Sequence, residues 1–204
     1  VKLIGLTGGI ASGKSTVSAF LRTLGAHVVD ADAVYHTLIQ PTPQGTPSPL
    51  ASAVAQHFPN VLLPNGSLNR KTLGEAVFNN AQARALLESI THPAVAQTTA
   101  QLFQTLQNQG ATHAVYDVPL LFERQLHTHM FATLVVWVPA HIQLQRLIKR
   151  DNLTQEEALK RIQSQMPLDQ KKDLATWVID NSSSLEHTRL QTHNLWNSIT
   201  HPNP

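Results

Sequence analysis

Apolar residues open the chain as a short block, "KLIGLT" (2–7), which reads as a buried strand. A glycine-rich interruption follows, and then Val17, Phe20, Leu21 and Leu24 recur at the i, i+3, i+4, i+7 spacing of a helix with one apolar face. Gly25 falls where that helix needs a left-handed C′ residue. "HVVD" (27–30) reads as a second strand, so the first thirty residues form a βαβ unit. "DADAVYHTLIQ" is helical in pattern, whereas "PTPQGTPSP" (41–49), with four prolines and a glycine, is not. From 50 to 109 the pattern predicts helices interrupted at "FPNVLLPNGSLN" and before Pro93, with the glutamines of 97–109 on a solvated face. Strands return at "HAVYDV" (113–118), "TLVVWV" (133–138) and "WVID" (177–180). Helix formers fill 140–174, and "SLEHTRLQTHNLWNSI" predicts a closing helix. Alternating strands and helices imply an α/β fold on a five-stranded parallel sheet.

Composition narrows the class only a little. The chain of 204 residues is 42% hydrophobic and 14% charged, which suits a compact globule. Fifteen basic against thirteen acidic residues leave a formal net charge of +2, and no Lys/Arg run makes a phosphate-tracking stripe. A nucleic-acid partner is therefore not expected. No apolar run approaches the roughly 18 residues of a membrane span, and the start does not read as a secretory signal. The absence of cysteine removes disulfides and thiolate metal sites and agrees with a cytoplasmic protein. The histidines show no metal-ligand spacing, so no structural metal is expected.

The interruption after the first strand carries the chemistry. Gly8, four residues, then Gly13-Lys14-Ser15 is the Walker A spacing, set between a strand and an amphipathic helix. Glycines let backbone N–H groups curl around anionic phosphates, and the helix N-terminus adds partial positive charge there. Lys14 can bridge the β- and γ-oxygens, and the Ser15 hydroxyl can ligate Mg²⁺. Gly8, Gly9, Ala11, Ser12, Gly13, Lys14, Ser15 and Thr16 are the expected nucleotide contacts. The absence of an N-K-x-D guanine reader argues against a GTPase. Downstream, Asp30 and Asp32 fall at the end of the second strand, where ligands of parallel sheets gather. Asp30 suits a helix cap, while Asp32 is the candidate base for a hydroxyl acceptor, or a group steering Mg²⁺. Asp117, at the end of the third strand, suits a Walker B carboxylate holding Mg²⁺ or a partner of the loop backbone.

"GLTGGIASGKS", "VVDAD", "LNRKTLGEAVF", "THP", "DVPLLFE", "RLIKRD", "RIQSQMPLDQKK" and "VIDNS" occur in that order, and together they resemble the dephospho-CoA kinase family over residues 3 to about 185. The resemblance implies a P-loop nucleotide-kinase-like core, a helical CoA-binding domain and a lid. The implied division is a core of 1–32, 110–139 and 175–204, an acceptor domain of 33–109 and a lid of 140–174. It implies ATP-dependent, Mg²⁺-assisted phosphorylation of the ribose 3′-hydroxyl of dephospho-CoA, with small-molecule substrates as partners; the sequence leaves the oligomeric state open, with a monomer the expectation.

Carried over, Asp32 matches the acidic residue beside the acceptor hydroxyl, and Lys14 and Ser15 the phosphate and Mg²⁺ groups. Arg70 and His92 match acceptor-domain residues, although Asn69 stands where the family usually has an aspartate. Leu120, Leu121 and Phe122 offer an apolar wall to an adenine or pantetheine arm, with ordinary core the other reading for the leucines. Among the basic lid residues, Arg146 and Arg161 are the candidates to stabilise the transferred phosphoryl group. Gln165, one helical turn beyond Arg161, shares its face. Arg150 and Lys171 lie in the same stretch without an assigned role. Asn181 lies where such kinases contact adenine, from the backbone or the side chain. Two other readings stay open here: a P-loop kinase of another small alcohol or nucleotide, and a nucleotide-dependent switch without catalysis.

Overall fold

A computed structural model of the protein describes residues 1–78 and 80–201. Five strands, β1 (Lys2–Gly8), β2 (Val28–Asp30), β3 (His113–Asp117), β4 (Ala132–Trp137) and β5 (Trp177–Asp180), form one all-parallel sheet in the order β2-β3-β1-β4-β5. β1 is central, pairing Leu6 with Asp117 of β3 and Gly8 with Val136 of β4. Trp137 in turn pairs with Asp180 of β5. The carboxyl ends of β1, β3, β4 and β5 therefore line up at one edge of the sheet. The order reverses around β1, which is the place where open α/β sheets leave a crevice for ligands.

Burial on both faces explains why the strands read as apolar runs rather than alternating ones. Leu134 and Val136 of β4 join Ile4, Leu6, Val115 and Ile179 in a core with Val17 and Leu21 of α1 (Lys14–Thr23) and Trp196 of α9 (Leu185–Thr200). Val135, between them, faces the opposite side and packs with Phe122, Val138 and Leu168. Helix α1 ends with Gly25 in the left-handed region at φ 81, as the spacing predicted.

The chain divides into two compact units, Val1–Val29 with Leu106–Pro204, and Asp30–Thr105. The second is helical. Its helices are α2 (Ala31–Leu38), α3 (Pro49–His57), α4 (Arg70–Phe78) and most of α5 (Ala81–Asn108). Its own core gathers Ile39, Leu50, Val54, Phe58, Val61, Leu68 and Leu73. Ser48 caps α3 through the Ala51 N–H, with Pro49 in the first turn, where a missing N–H costs nothing. The break over 58–69 is a turn closed by a single Leu62–Leu68 bridge. Pro93 does not interrupt its helix: α5 runs unbroken through it. Proline removes one ladder bond, about 3 kcal/mol in a helix interior, and tertiary burial of Ile90, Thr91 and Ala94 offsets that local cost.

The remaining helices, α6 (Ala140–Asp151), α7 (Gln155–Gln163) and α8 (Leu168–Asp173), belong to the first unit. Helix α7 opens with a full capping box, Thr154 accepting from the Glu157 N–H and Glu157 accepting from the Thr154 N–H. Among the described residues, no helix is long and apolar enough to cross a membrane.

Candidate active site

The loop between β1 and α1 turns on two left-handed residues, Ala11 at φ 60 and Gly13 at φ 89. Ser12 N–H closes it onto Gly9 O at 3.0 Å, and the Thr16 N–H onto Gly13 O at 3.0 Å. Lys14 then opens α1, which aims its N-terminal dipole into the loop. The Lys14 ammonium forms an ion pair with Asp117. Sheet register accounts for that pair, because Asp117 ends β3 directly beside Leu6 of β1, and its carboxylate is almost wholly buried.

The glycines answer a demand from the protein side of the loop as well as from a phosphate. A Cβ on Gly8 would sit 2.5 Å from Ser12 Oγ, and one on Gly9 2.5 Å from Gln143 Nε2. One on Gly13 would collide with Asn181 Nδ2. Ser12 Oγ, packed under Gly8, is buried without a hydrogen-bond partner. A loop clamped this tightly from behind holds its amides in place before any anion arrives, which is electrostatic preorganisation.

Four polar side chains supply the clamp. Gln143 of α6 donates to Ile10 O at 2.9 Å, and Gln165 accepts from the Ile10 N–H at 2.8 Å. Asn181, just past β5, donates from Nδ2 to Ser12 O at 2.8 Å, while its Oδ1 accepts from Thr188 Oγ1 at 2.7 Å. Lys171 of α8 is fully buried and donates to Gly8 O at 3.3 Å, to Pro119 O at 3.0 Å and to Glu123 Oε1 at 2.8 Å. Burial pushes the Lys171 ammonium below the usual lysine range, and the Glu123 carboxylate pulls it partly back.

Several sequence expectations are revised by this geometry. The Asn181 side chain is bonded to the loop and to Thr188, as burial obliges each of its amide groups to find a partner, which leaves, of the two modes expected for this position, contact through the backbone. Arg146 of α6 is half-buried and donates to Asn181 O at 3.0 Å, so it braces the same strut. Helix α7 ends at Gln163, so Gln165 does not share a helical face with Arg161, and its side chain reaches Ile10 instead. Arg161 lies on the exposed face, paired with Asp151 at 3.1 Å beside Arg150. Phe122 is 3% exposed and packs in the core with Val135 and Leu168. Leu121 is likewise core, closing against Gly5, whereas Leu120 is half-exposed. Ser15 is exposed at the start of α1.

The acceptor candidates lie in the second unit. Asp30 is the N-cap of α2, accepting from the Asp32 and Ala33 N–H groups at 2.9 and 3.1 Å. That cap orients the first turn, where Asp32 stands exposed, and among the described residues no donor meets its carboxylate. Arg70 sets its guanidinium 2.8 to 3.0 Å from the ring nitrogens of His36. Asn69 caps α4 through the Thr72 N–H at 3.2 Å, a task its amide performs as an aspartate would. His92 is exposed on α5 beside Pro93.

Sequence reasoning missed Gln143, Glu123 and the buried setting of Lys171. A signal existed for Lys171: it stands three residues after the core residue Leu168 on a helix, whereas Lys172 lies over the Trp137 ring at 3.9 Å. Gln143 lies one helical turn before the core residue Leu147 on α6, and Glu123 closes the motif "DVPLLFE", which carried no role for it.

A glycine loop between central strand and helix, its lysine held by a carboxylate from the neighbouring strand, defines a P-loop kinase. Residues 2–187 match the family model described as Dephospho-CoA kinase. Dephospho-CoA kinase of Syntrophotalea carbinolica is 47% identical over 93% of this chain and 88% of its own. The crystal structure of TT1252 from Thermus thermophilus superposes with a TM-score of 0.80 at 32% identity, covering 100% of this chain and 98% of that one. Dephospho-CoA kinase from Campylobacter jejuni does so with a TM-score of 0.68 at 27% identity, covering 97% of each chain. This chain belongs to the dephospho-CoA kinase family.

Proposed function

We propose that the enzyme transfers the γ-phosphoryl group of ATP to the ribose 3′-hydroxyl of dephospho-CoA, the last step of coenzyme A synthesis. The observation that carries this reading is the phosphate loop itself. Its amides are locked by Gln143, Gln165 and Asn181, and its lysine is aimed by Asp117. Family membership supplies the acceptor.

The division of labour follows from the chemistry. Loop amides and the α1 N-terminus bind the β- and γ-phosphates, and Lys14 carries the charge that grows as the terminal phosphoryl group loosens. Asp117 holds Lys14 extended toward the loop. The oxygen donors Ser15 and Asp117 suit Mg²⁺, a hard cation, which when bound neutralises charge on the β- and γ-phosphates. The acceptor oxygen attacks phosphorus in line; one P–O bond forms, the bond to ADP breaks, and Asp32 takes or orients the departing proton. In this reading residues 33–109 hold the acceptor, with Arg70 and His92 among its contacts. Residues 140–174 supply the lid: Gln143, Gln165 and Lys171 anchor it to the loop, Arg146 meets the phosphates from α6, and the exposed helix α7 brings Arg161 to them on closure and keeps water out. For Arg161 that motion requires release from Asp151.

Incubation of the protein with ATP, Mg²⁺ and dephospho-CoA, followed by mass spectrometry, tests the proposal. The expected product is dephospho-CoA plus one phosphate, with the phosphate on the 3′-oxygen. Turnover of other small alcohols or nucleotides with none on dephospho-CoA would overturn it.

A further inference from the structure

Three acceptors surround the Lys171 ammonium, and each belongs to a different part of the site. Gly8 O ends β1 and begins the phosphate loop. Pro119 O lies two residues past Asp117, the carboxylate that holds Lys14, and also accepts from Thr7 Oγ1 at 2.9 Å. Glu123 Oε1 belongs to the turn beyond, and it accepts as well from the Met166 N–H at 3.0 Å, in the link between α7 and α8. All three donors of the ammonium are thus used on the backbone and carboxylate that frame the loop.

Stability alone does not account for such an arrangement. A buried ion pair gains little over well-packed apolar residues, because desolvating both charges cancels most of the attraction. The pair is also not built for maximum stability: Glu123 Oε2 is buried with no hydrogen-bond partner. Lys171 ties the strand end that launches the loop and the segment just past Asp117, which Thr7 Oγ1 also joins, to Glu123 and the α7–α8 link.

We propose that the Lys171–Glu123 pair is a positioning device for the nucleotide phosphates, fixing the Gly8 and Pro119 carbonyls from α8 so that the loop amides and the Lys14–Asp117 pair keep their spacing. This rests on the reading of the loop as the ATP site. Lys171 acts through the backbone and does not touch substrate.

The test compares Lys171→Met with the double variant Lys171→Met/Glu123→Gln. The single variant leaves Glu123 without its cation and melts early. The double variant leaves no unpaired buried charge and recovers the melting temperature. In the double variant we expect the KM and Kd for ATP to rise by about tenfold, the scale of losing charge-assisted hydrogen bonds. The acceptor KM stays within about twofold, since no acceptor contact changes, and amides of the 8–16 loop exchange faster with deuterium. Recovery of ATP affinity together with the melting temperature would reduce the pair to a structural one and overturn the proposal. So would a parallel rise in both KM values, or unchanged exchange of the 8–16 amides in the folded double variant. ATP affinity and exchange are read without acceptor, so a wrong acceptor in the reaction proposed above shows separately, as wild-type protein that binds ATP but does not phosphorylate dephospho-CoA.

Discussion

A hydroxyl oxygen becomes a good nucleophile only as its proton leaves, and this makes Asp32 the residue on which turnover depends most sharply. Asp32→Asn keeps the shape and loses the base. Its kcat should fall by about 100- to 10,000-fold while ATP binding, measured by calorimetry, stays unchanged. Normal turnover by that variant would remove Asp32 from the mechanism. At Gly13 the expectation concerns backbone. Its φ of 89 and the Asn181 amide packed where a Cβ would stand both exclude alanine. Gly13→Ala should cost about 1–3 kcal/mol in chemical denaturation and weaken ATP binding, because relief of the clash must move the loop. The Walker A spacing made Gly13 legible from the sequence. The reason for it was only half legible, since the atoms crowding it come from Asn181, far along the chain.

Elements behave according to their ends and their burial. Helix α7 depends on its capping box, with Thr154 and Glu157 satisfying one another's backbone N–H groups. Thr154→Ala should cost about 1 kcal/mol and lower Tm by roughly 2–4 °C in a chain of this size, as calorimetry would register. A larger loss would mean that α7 supports more of the fold than its exposed face suggests. Helix α5 teaches the converse. Pro93 is a local stop signal, and the pattern predicted a break before it, yet the helix continues because its apolar residues on either side join the core of the second unit. Tertiary burial outweighs local propensity there.

At the scale of the whole molecule, nucleotide binding and folding are linked. A ligand at a hundredfold excess over its Kd stabilises the folded state by about 2.7 kcal/mol. For a chain of this length that is a rise in Tm of roughly 5–10 °C with ATP and Mg²⁺. Lys14→Met should abolish the rise, and chelation of Mg²⁺ should shrink it without lowering Tm measured in the absence of nucleotide. Differential scanning fluorimetry would show either result, and an ATP-induced shift that survives Lys14→Met would separate binding from the loop.

The strands, the βαβ opening and the phosphate loop were determined by the sequence alone, because each is written in residues adjacent or a few positions apart, where periodicity and spacing carry the information. Family membership was legible for the same reason, in short motifs. What only the tertiary structure decided is how the loop is held. Lys171 meets Gly8 across 163 positions, Gln143 meets Ile10 across 133, and Asn181 meets Ser12 across 169. Local spacing can hint that such a side chain lies on a buried face, as for Lys171, but it cannot say which backbone atom the side chain meets. Their partners are set by strand order and by the docking of α6 and α8 on the sheet, and burial then forces each polar group to bond with whatever that docking brings within reach.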